Sequence, residues 1–176
     1  MYKGINNIVL MDHVDIDTKE QEILFNDKWS VWYHHELNTW SVSGYRKIVD
    51  IKNMQEFWQF FNNIECIGGI NKLHYFIMRE GITPIYEDTR NSKGGTWSSI
   101  VSRDSAQNSF LILAQHLVGE TLSDCPLDIT GISCNVKSGV SVIKVWNNDR
   151  NKSKVSKLCP IIGLQGQTIY KNHPKI

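Results

Sequence analysis

Lys28-Trp29-Ser30-Val31-Trp32-Tyr33 decides the fold, because its large side chains alternate strictly. Trp29, Val31 and Tyr33 fall on one face and Ser30 and Trp32 on the other, the period-2 pattern of a strand with apolar matter on both sides. Downstream, a polar loop through His34-His35-Glu36-Leu37-Asn38 leads to Trp40, and a second strand runs from Tyr45 to Val49. Asp50 or Asn53 can cap a helix whose Phe57, Phe60, Phe61 and Ile64 repeat at i, i+3, i+4 and i+7, which leaves Trp58 pointing elsewhere. Leu73 to Met78 reads as a strand, Gly94-Gly95 as a turn, and Trp97 to Val101 as the next strand. A second helix spans about Asp104 to Val118, with Phe110, Leu113, Ala114 and Leu117 inward and Leu111 and Ile112 on a flank. A hairpin turns near Ser138-Gly139. On it Ser133, Asn135 and Lys137 share one face, and Val142, Lys144 and Trp146 share a side of the return strand. A third, shorter helix is expected from about Asp149 to near Pro160, and Thr168 to Tyr170 forms a last strand. Strands interspersed with helices, without βαβ regularity, predict an α+β domain: an antiparallel sheet with about three helices on one face.

A chain of 176 residues, 41% hydrophobic and 21% charged, suits one domain with a real core. Residues 1–22 read as a flexible arm in which only Ile8-Val9-Leu10-Met11 could dock, and 23–176 as the domain. The net charge of +1 excludes whole-protein attraction to nucleic acid, so any affinity for RNA must be local. No apolar run is long enough for a membrane span and no signal peptide opens the chain, so a monomeric cytoplasmic protein without membrane association is expected. Cys66, Cys125, Cys134 and Cys159 form no C-x-x-C pair; reduced, mostly buried thiols are expected, with neither zinc nor disulfides.

The chemistry concentrates in Gly81-Ile82-Thr83-Pro84-Ile85-Tyr86-Glu87-Asp88 and the following Gly94-Gly95-Thr96-Trp97. An aromatic ring beside a carboxylate, with a second ring at Trp40, suits a planar cationic base: two faces can sandwich it, and a carboxylate accepts from its N–H edge. Taken singly, Trp40 also reads as a packing residue, Glu87 as a solvated loop carboxylate, Trp146 as a half-buried strand tryptophan and Trp58 as core. Catalytic constellations are absent from the sequence: no H-E-x-x-H, no G-x-S-x-G, no Gly-rich phosphate loop, and His34-His35 on a strand end point apart. A binding protein without a cofactor is therefore expected rather than an enzyme.

Seven ordered landmarks, Lys28-Trp29-Ser30-Val31-Trp32-Tyr33, Thr39-Trp40, Glu56-Phe57-Trp58, Pro84 to Trp97, Val118-Gly119-Glu120, Asn135-Val136-Lys137 and Val145-Trp146, resemble the eukaryotic translation initiation factor 4E family, which binds the 7-methylguanosine cap of mRNA. The resemblance runs from about Ile23 to His173. It implies a curved sheet with the cap pocket on the concave face and helices on the convex face. Trp40 and Tyr86 would be the stacking plates, Glu87 would hold the guanine edge, Trp146 would touch the methyl group, and Asn135 and Lys137 would lie at the phosphates. Tyr86 stands where the family usually has tryptophan, and Thr96 and Val142 stand where Arg and Lys are usual; Lys144, Arg90 or Lys93 could substitute. On the convex face the resemblance implies a patch of Trp58, Met54 and Leu111 for an amphipathic helix of a scaffold factor 4G-like protein or a 4E-binding regulator. Ile23-Leu24-Phe25 replaces the usual His-Pro-Leu and Ile112 an acidic residue, so a partner with a modified motif is expected. Two further readings stay open: a cap-binding repressor that sequesters mRNA, and a scaffold that has lost cap binding.

Overall fold

The computed structural model describes residues 22–35, 40, 42–160, 164 and 167–174; residues 1–21 of the N-terminal arm, with the Ile8-to-Met11 patch, lie outside them, as does the loop 36–39. Strands β1 (Leu24–His34), β2 (Tyr45–Asn53), β3 (His74–Arg79), β4 (Gly95–Ser102), β5 (Ile129–Val136), β6 (Val140–Asn147) and β7 (Ile169–Asn172) form one curved antiparallel sheet in the order β2-β1-β3-β5-β6-β4-β7. Helices α1 (Met54–Asn62) and α2 (Arg103–Val118) pack across one face.

The alternation read from β1 partitions the whole sheet. Trp29, Val31, Tyr75, Ile77, Ile132, Cys134, Ile143 and Val145 point toward the helices, where Phe57, Phe60, Phe61, Phe110, Leu113 and Leu117 meet them. Phe76, Met78 and Trp146 point the other way and gather Ile82, Trp32, Tyr45 and Tyr86 into a smaller cluster. Each fully buried side chain of this size contributes about 1.5–3 kcal/mol, so the helix side dominates stability and the smaller cluster is free to shape a site.

Asn53, not Asp50, caps α1: its side chain accepts from the Glu56 amide at 2.7 Å, while Glu56 reaches back to the Lys52 amide at 2.8 Å. Ser102 caps α2 by accepting from Ser105. The expected core face is observed, with Phe57, Phe60 and Phe61 of α1 and Ile64 of the 3-10 turn that follows all buried.

The third helix does not form, so two α-helices, not about three, cover the sheet among the described residues. Between Asp149 and Pro160 there is one 3-10 turn, Val155–Lys157. Polar side chains take the groups a helix would need: Asp149 accepts from the Asn151 amide, and Asn147 donates to the Asp149 and Lys152 carbonyls. Such local bonding favours turns over helix. The cysteine expectation also needs correcting. No disulfide forms among them, but only Cys134 is buried; Cys66 and Cys125 are exposed and Cys159 is intermediate.

Replacing Asn53 by alanine leaves the Glu56 amide without its acceptor, and urea unfolding should show a loss of about 1 kcal/mol with the native fold retained.

Candidate functional site

The segment from Gly81 to Gly94 is braced from within. Asp88 accepts from the Thr83 amide at 2.8 Å and the Arg90 amide at 3.0 Å, and Asn91 donates to the Thr83 and Ile85 carbonyls. Gly81 adopts φ +74°, which lets the chain leave β3 sharply. At the far end Gly94 lies against the β6 backbone so closely that a Cβ there would sit 1.8 Å from the Asn147 carbonyl oxygen. Asn147 locks this junction by accepting from the Gly95 amide and the Tyr170 hydroxyl, both at 2.9 Å. The brace fixes Pro84, Ile85, Tyr86 and Glu87 at the rim of a cavity of about 400 Å3 on the helix-free face. That volume lies inside the range of about 300–1,000 Å3 typical of small-ligand pockets.

Trp40, Tyr86, Glu87, Asn135, Lys137, Lys144 and Trp146, the site residues expected from the sequence, all line this one cavity, together with Tyr45, Phe76 and Val142. Trp40 rests flat on two imidazoles, with ring centroids 4.7 Å from His34 and 4.8 Å from His74. Across the cavity Tyr86 stacks on Trp146 at 5.3 Å and packs on His173 at 4.8 Å. Tyr45 and Phe76 complete an aromatic floor between the two ends. Trp146 is buried rather than half-buried. Its indole N–H donates to Ser133 Oγ at 3.1 Å, which donates to Asn135 Oδ1 at 3.1 Å, so the ring is held in one orientation. Glu87 is exposed at the rim, and no hydrogen bond or ion pair engages its carboxylate among the described residues.

Cationic groups line the same cavity. Lys137 is exposed, and Lys144 is half-buried with its ammonium pushed down, by burial first and then by nearby Lys171. Lys171 of β7 pairs with Thr96 across β4 and was not anticipated; its charge also bears on Tyr86. Only the joining of β7 to β4 reveals it, since the two are far apart in sequence. Arg90 is instead tied to the Glu80 carbonyl, and neither it nor Lys93 lines the cavity. Among the described residues no group of His, Cys, Asp or Glu is arranged to hold a metal ion.

The sequence comparisons agree with this geometry. A sequence model described as Eukaryotic initiation factor 4E matches residues 24–173. The chain belongs to the eukaryotic initiation factor 4E family. Factor 4E of Candida glabrata is 30% identical over 157 residues, 85% of this chain and 73% of that protein. Factor 4E of Candida albicans is 28% identical over 141 residues, covering 74% of this chain. The chain spans 66% of the C. albicans factor 4E and 55% of Caenorhabditis elegans factor 4E-3. The fold is shared with C. elegans eIF4E-3, solved with the 4E-binding protein Mextli and a cap analog: TM-score 0.74 at 23% identity, covering 87% of this chain and 94% of that one. It is shared too with Ascaris suum eIF4E-3, solved with an m7G cap: TM-score 0.73, 23% identity, 88% and 93%.

Within the factor 4E fold, the His74 imidazole beneath Trp40 is held neutral. His74 Nδ1 accepts from the Val136 amide at 3.0 Å, which places its proton on Nε2. Burial, then the His34, Lys137 and Lys144 charges, push its pKa down to about 4. Burial likewise lowers His173, whose Nδ1–H donates to the Asn91 carbonyl. An unfolded chain titrates near the ordinary value of about 6.5. Stability from His74 is therefore complete above that pH and falls as pH drops toward 4. Urea midpoints should show a loss of about 2 kcal/mol between pH 7 and pH 5 from this residue alone, and His74→Leu should flatten that part of the profile.

Proposed function

We propose that the protein binds the 7-methylguanosine 5′ cap of mRNA in this cavity and recruits a helical partner on its opposite face, as a translation initiation factor of the cytoplasm. The observation that supports this best is the unengaged Glu87 carboxylate at the rim between two aromatic plates. A carboxylate with no protein partner is costly to desolvate unless a ligand supplies donors. A guanine edge offers N1–H and the exocyclic amine to it, and the positive charge of a 7-methylated ring suits both the carboxylate and the ring faces. Trp40, backed by His34 and His74, takes one face of the base and Tyr86 the other. Trp146 meets the methyl group, and Lys137, Lys144 and Asn135 take the phosphates. Burial of Lys144 makes its charge more effective, since fewer waters screen it. The intact aromatic cavity argues against the reading of a scaffold that has lost the cap.

Tryptophan fluorescence should be quenched by 7-methyl-GTP and far less by GTP. Glu87→Ala should weaken 7-methyl-GTP binding by about 2–3 kcal/mol, the scale of a charge-assisted bidentate contact. Equal weak responses to both nucleotides would count against the cap function.

For the partner, Trp58 and Met54 on α1 are each 38% exposed, and Leu24 is 62% exposed. Ile23 and Met54 are neighbours, since the Met54 amide donates to the Ile23 carbonyl. Phe25 packs edge-on to Phe57 beneath them. Leu111 and Ile112 on α2 are half-buried against the core, so they would offer less surface than Trp58. An apolar patch centred on an exposed tryptophan fits the apolar face of an amphipathic helix. C. elegans eIF4E-3 has been solved with the 4E-binding protein Mextli, which lends weight to a partner of that kind here. Trp58→Ala should cost at least about 2 kcal/mol in affinity for a bound helical peptide and leave 7-methyl-GTP quenching unchanged.

A further inference from the structure

A second cavity, of about 380 Å3, opens on the helix side of the sheet and shares no lining residue with the first. It lies where the expected third helix does not form. Two segments, 122–128 and 148–159, are clamped together at both ends. At one end Ser123 bridges Leu158, the Asp124 amide donates to the Lys157 carbonyl and the Cys159 amide to the Leu122 carbonyl. At the other the Asn148 amide donates to the Asp128 carbonyl. Between the clamps the floor is Trp97 of β4 and Ile129 of β5, both part of the main core. The Trp97 indole N–H donates to the Ser153 carbonyl at 2.9 Å, which pins the turn carrying Lys152 and Lys154 over the cavity.

Charge accounting at the rim says what such a cavity takes. Lys152 pairs with Asp128 at 2.6 Å and Lys157 with Asp124 at 3.3 Å. Lys154 is exposed, and no hydrogen bond or ion pair engages its ammonium among the described residues. One positive charge is therefore left uncompensated above an apolar floor. The polar groups of the wall are already spent: Asn147 accepts from the Gly95 amide and the Tyr170 hydroxyl and donates to the Asp149 and Lys152 carbonyls. We infer that this cavity is a second ligand site, for a small monoanion with a flat apolar body, of the aromatic carboxylate or sulfonate class. Lys154 takes the acid group, and Trp97 and Ile129 take the body. The volume falls within the range of small-ligand pockets, about 300–1,000 Å3. A second acid group gains little, because the other two lysines already have carboxylates. With its polar groups spent, the wall selects by size, apolarity and a single charge, and the site is independent of the cap function.

The test uses 8-anilinonaphthalene-1-sulfonate, an aromatic monoanion, as the probe on the full chain. Its fluorescence should rise on binding and stay high under saturating 7-methyl-GTP, since the two cavities share no residue. Cys125 is exposed and lines the second cavity, whereas Cys66 is exposed and does not. The probe should therefore slow alkylation of Cys125 by N-ethylmaleimide, read by peptide mass, and leave Cys66 reacting as before. Lys154→Glu, a change at an exposed side chain, should weaken the probe about 3–10-fold and leave the neutral analogue N-phenyl-1-naphthylamine unaffected. No binding to wild type, displacement by 7-methyl-GTP, unslowed alkylation of Cys125, or undiminished binding to Lys154→Glu each overturns the site. Should 7-methyl-GTP itself fail to bind, the cap function falls, and Cys125 protection and Lys154→Glu still decide the second site.

Discussion

Everything in this molecule depends on the strict two-sided alternation of the neighbouring interior strands β1 and β3. Tyr75 and Ile77 point to the helices while Phe76 and Met78 point away, and Trp29 and Val31 are opposed in the same manner by Trp32. A sheet apolar on one face alone can support only a core. One apolar on both faces supports a core and a lined concavity, and a one-residue slip would exchange the two. Register is fixed where it matters most: Gly131 of β5 faces β3 with so little room that a Cβ would come within 2.5 Å of the Ile77 carbonyl.

The second constraint is the junction of the rim loop with β6. Tyr86 and Glu87 sit on a loop, yet nothing about their placement is loose. Asp88 and Asn91 consume the loop's own backbone groups, His173 bonds the Asn91 carbonyl, and Asn147 ties Gly95 to Tyr170. Each bond is worth only about 0.5–1.5 kcal/mol net, but leaving any one of these buried groups unpaired costs more. The loop therefore behaves as part of the scaffold, and its two site residues inherit that rigidity.

Much of this was legible in the sequence because period-2 and period-3.6 patterns are local. The seven strands, both helices and the outward phase of Trp58 follow from spacing alone, and the aromatic and carboxylate residues of the cavity stand near turn-forming glycines and proline. What was not legible depends on competition or on distant pairing. Asn147, Asp149 and Asn151 turned an expected helix into a knot of side-chain bonds, which no apolar count registers. His34 and His74 are seen as the bed of Trp40 only once β1 and β3 lie side by side. Cys66 and Cys125 were expected inside from residue type, but both fall at surface turns.

The cations show why one part of a site departs from its family pattern more freely than another. In the proposed cap site, a stacking plate must present a ring in one plane at van der Waals distance, so its position tolerates a change of aromatic, as at Tyr86, but no displacement. Phosphate attraction falls slowly with distance and a lysine stem is long and flexible, so the charge need only arrive in the right region. Thr96 lacks it, yet Lys171 stands directly opposite on β7; Val142 lacks it, yet Lys144 stands two residues along the same strand on the same face. Burial first, and then the charge of Lys171, lower the Lys144 ammonium, so two positive charges bear on each other here. In the proposed cap site, a polyanion lying across both lysines would relieve that repulsion.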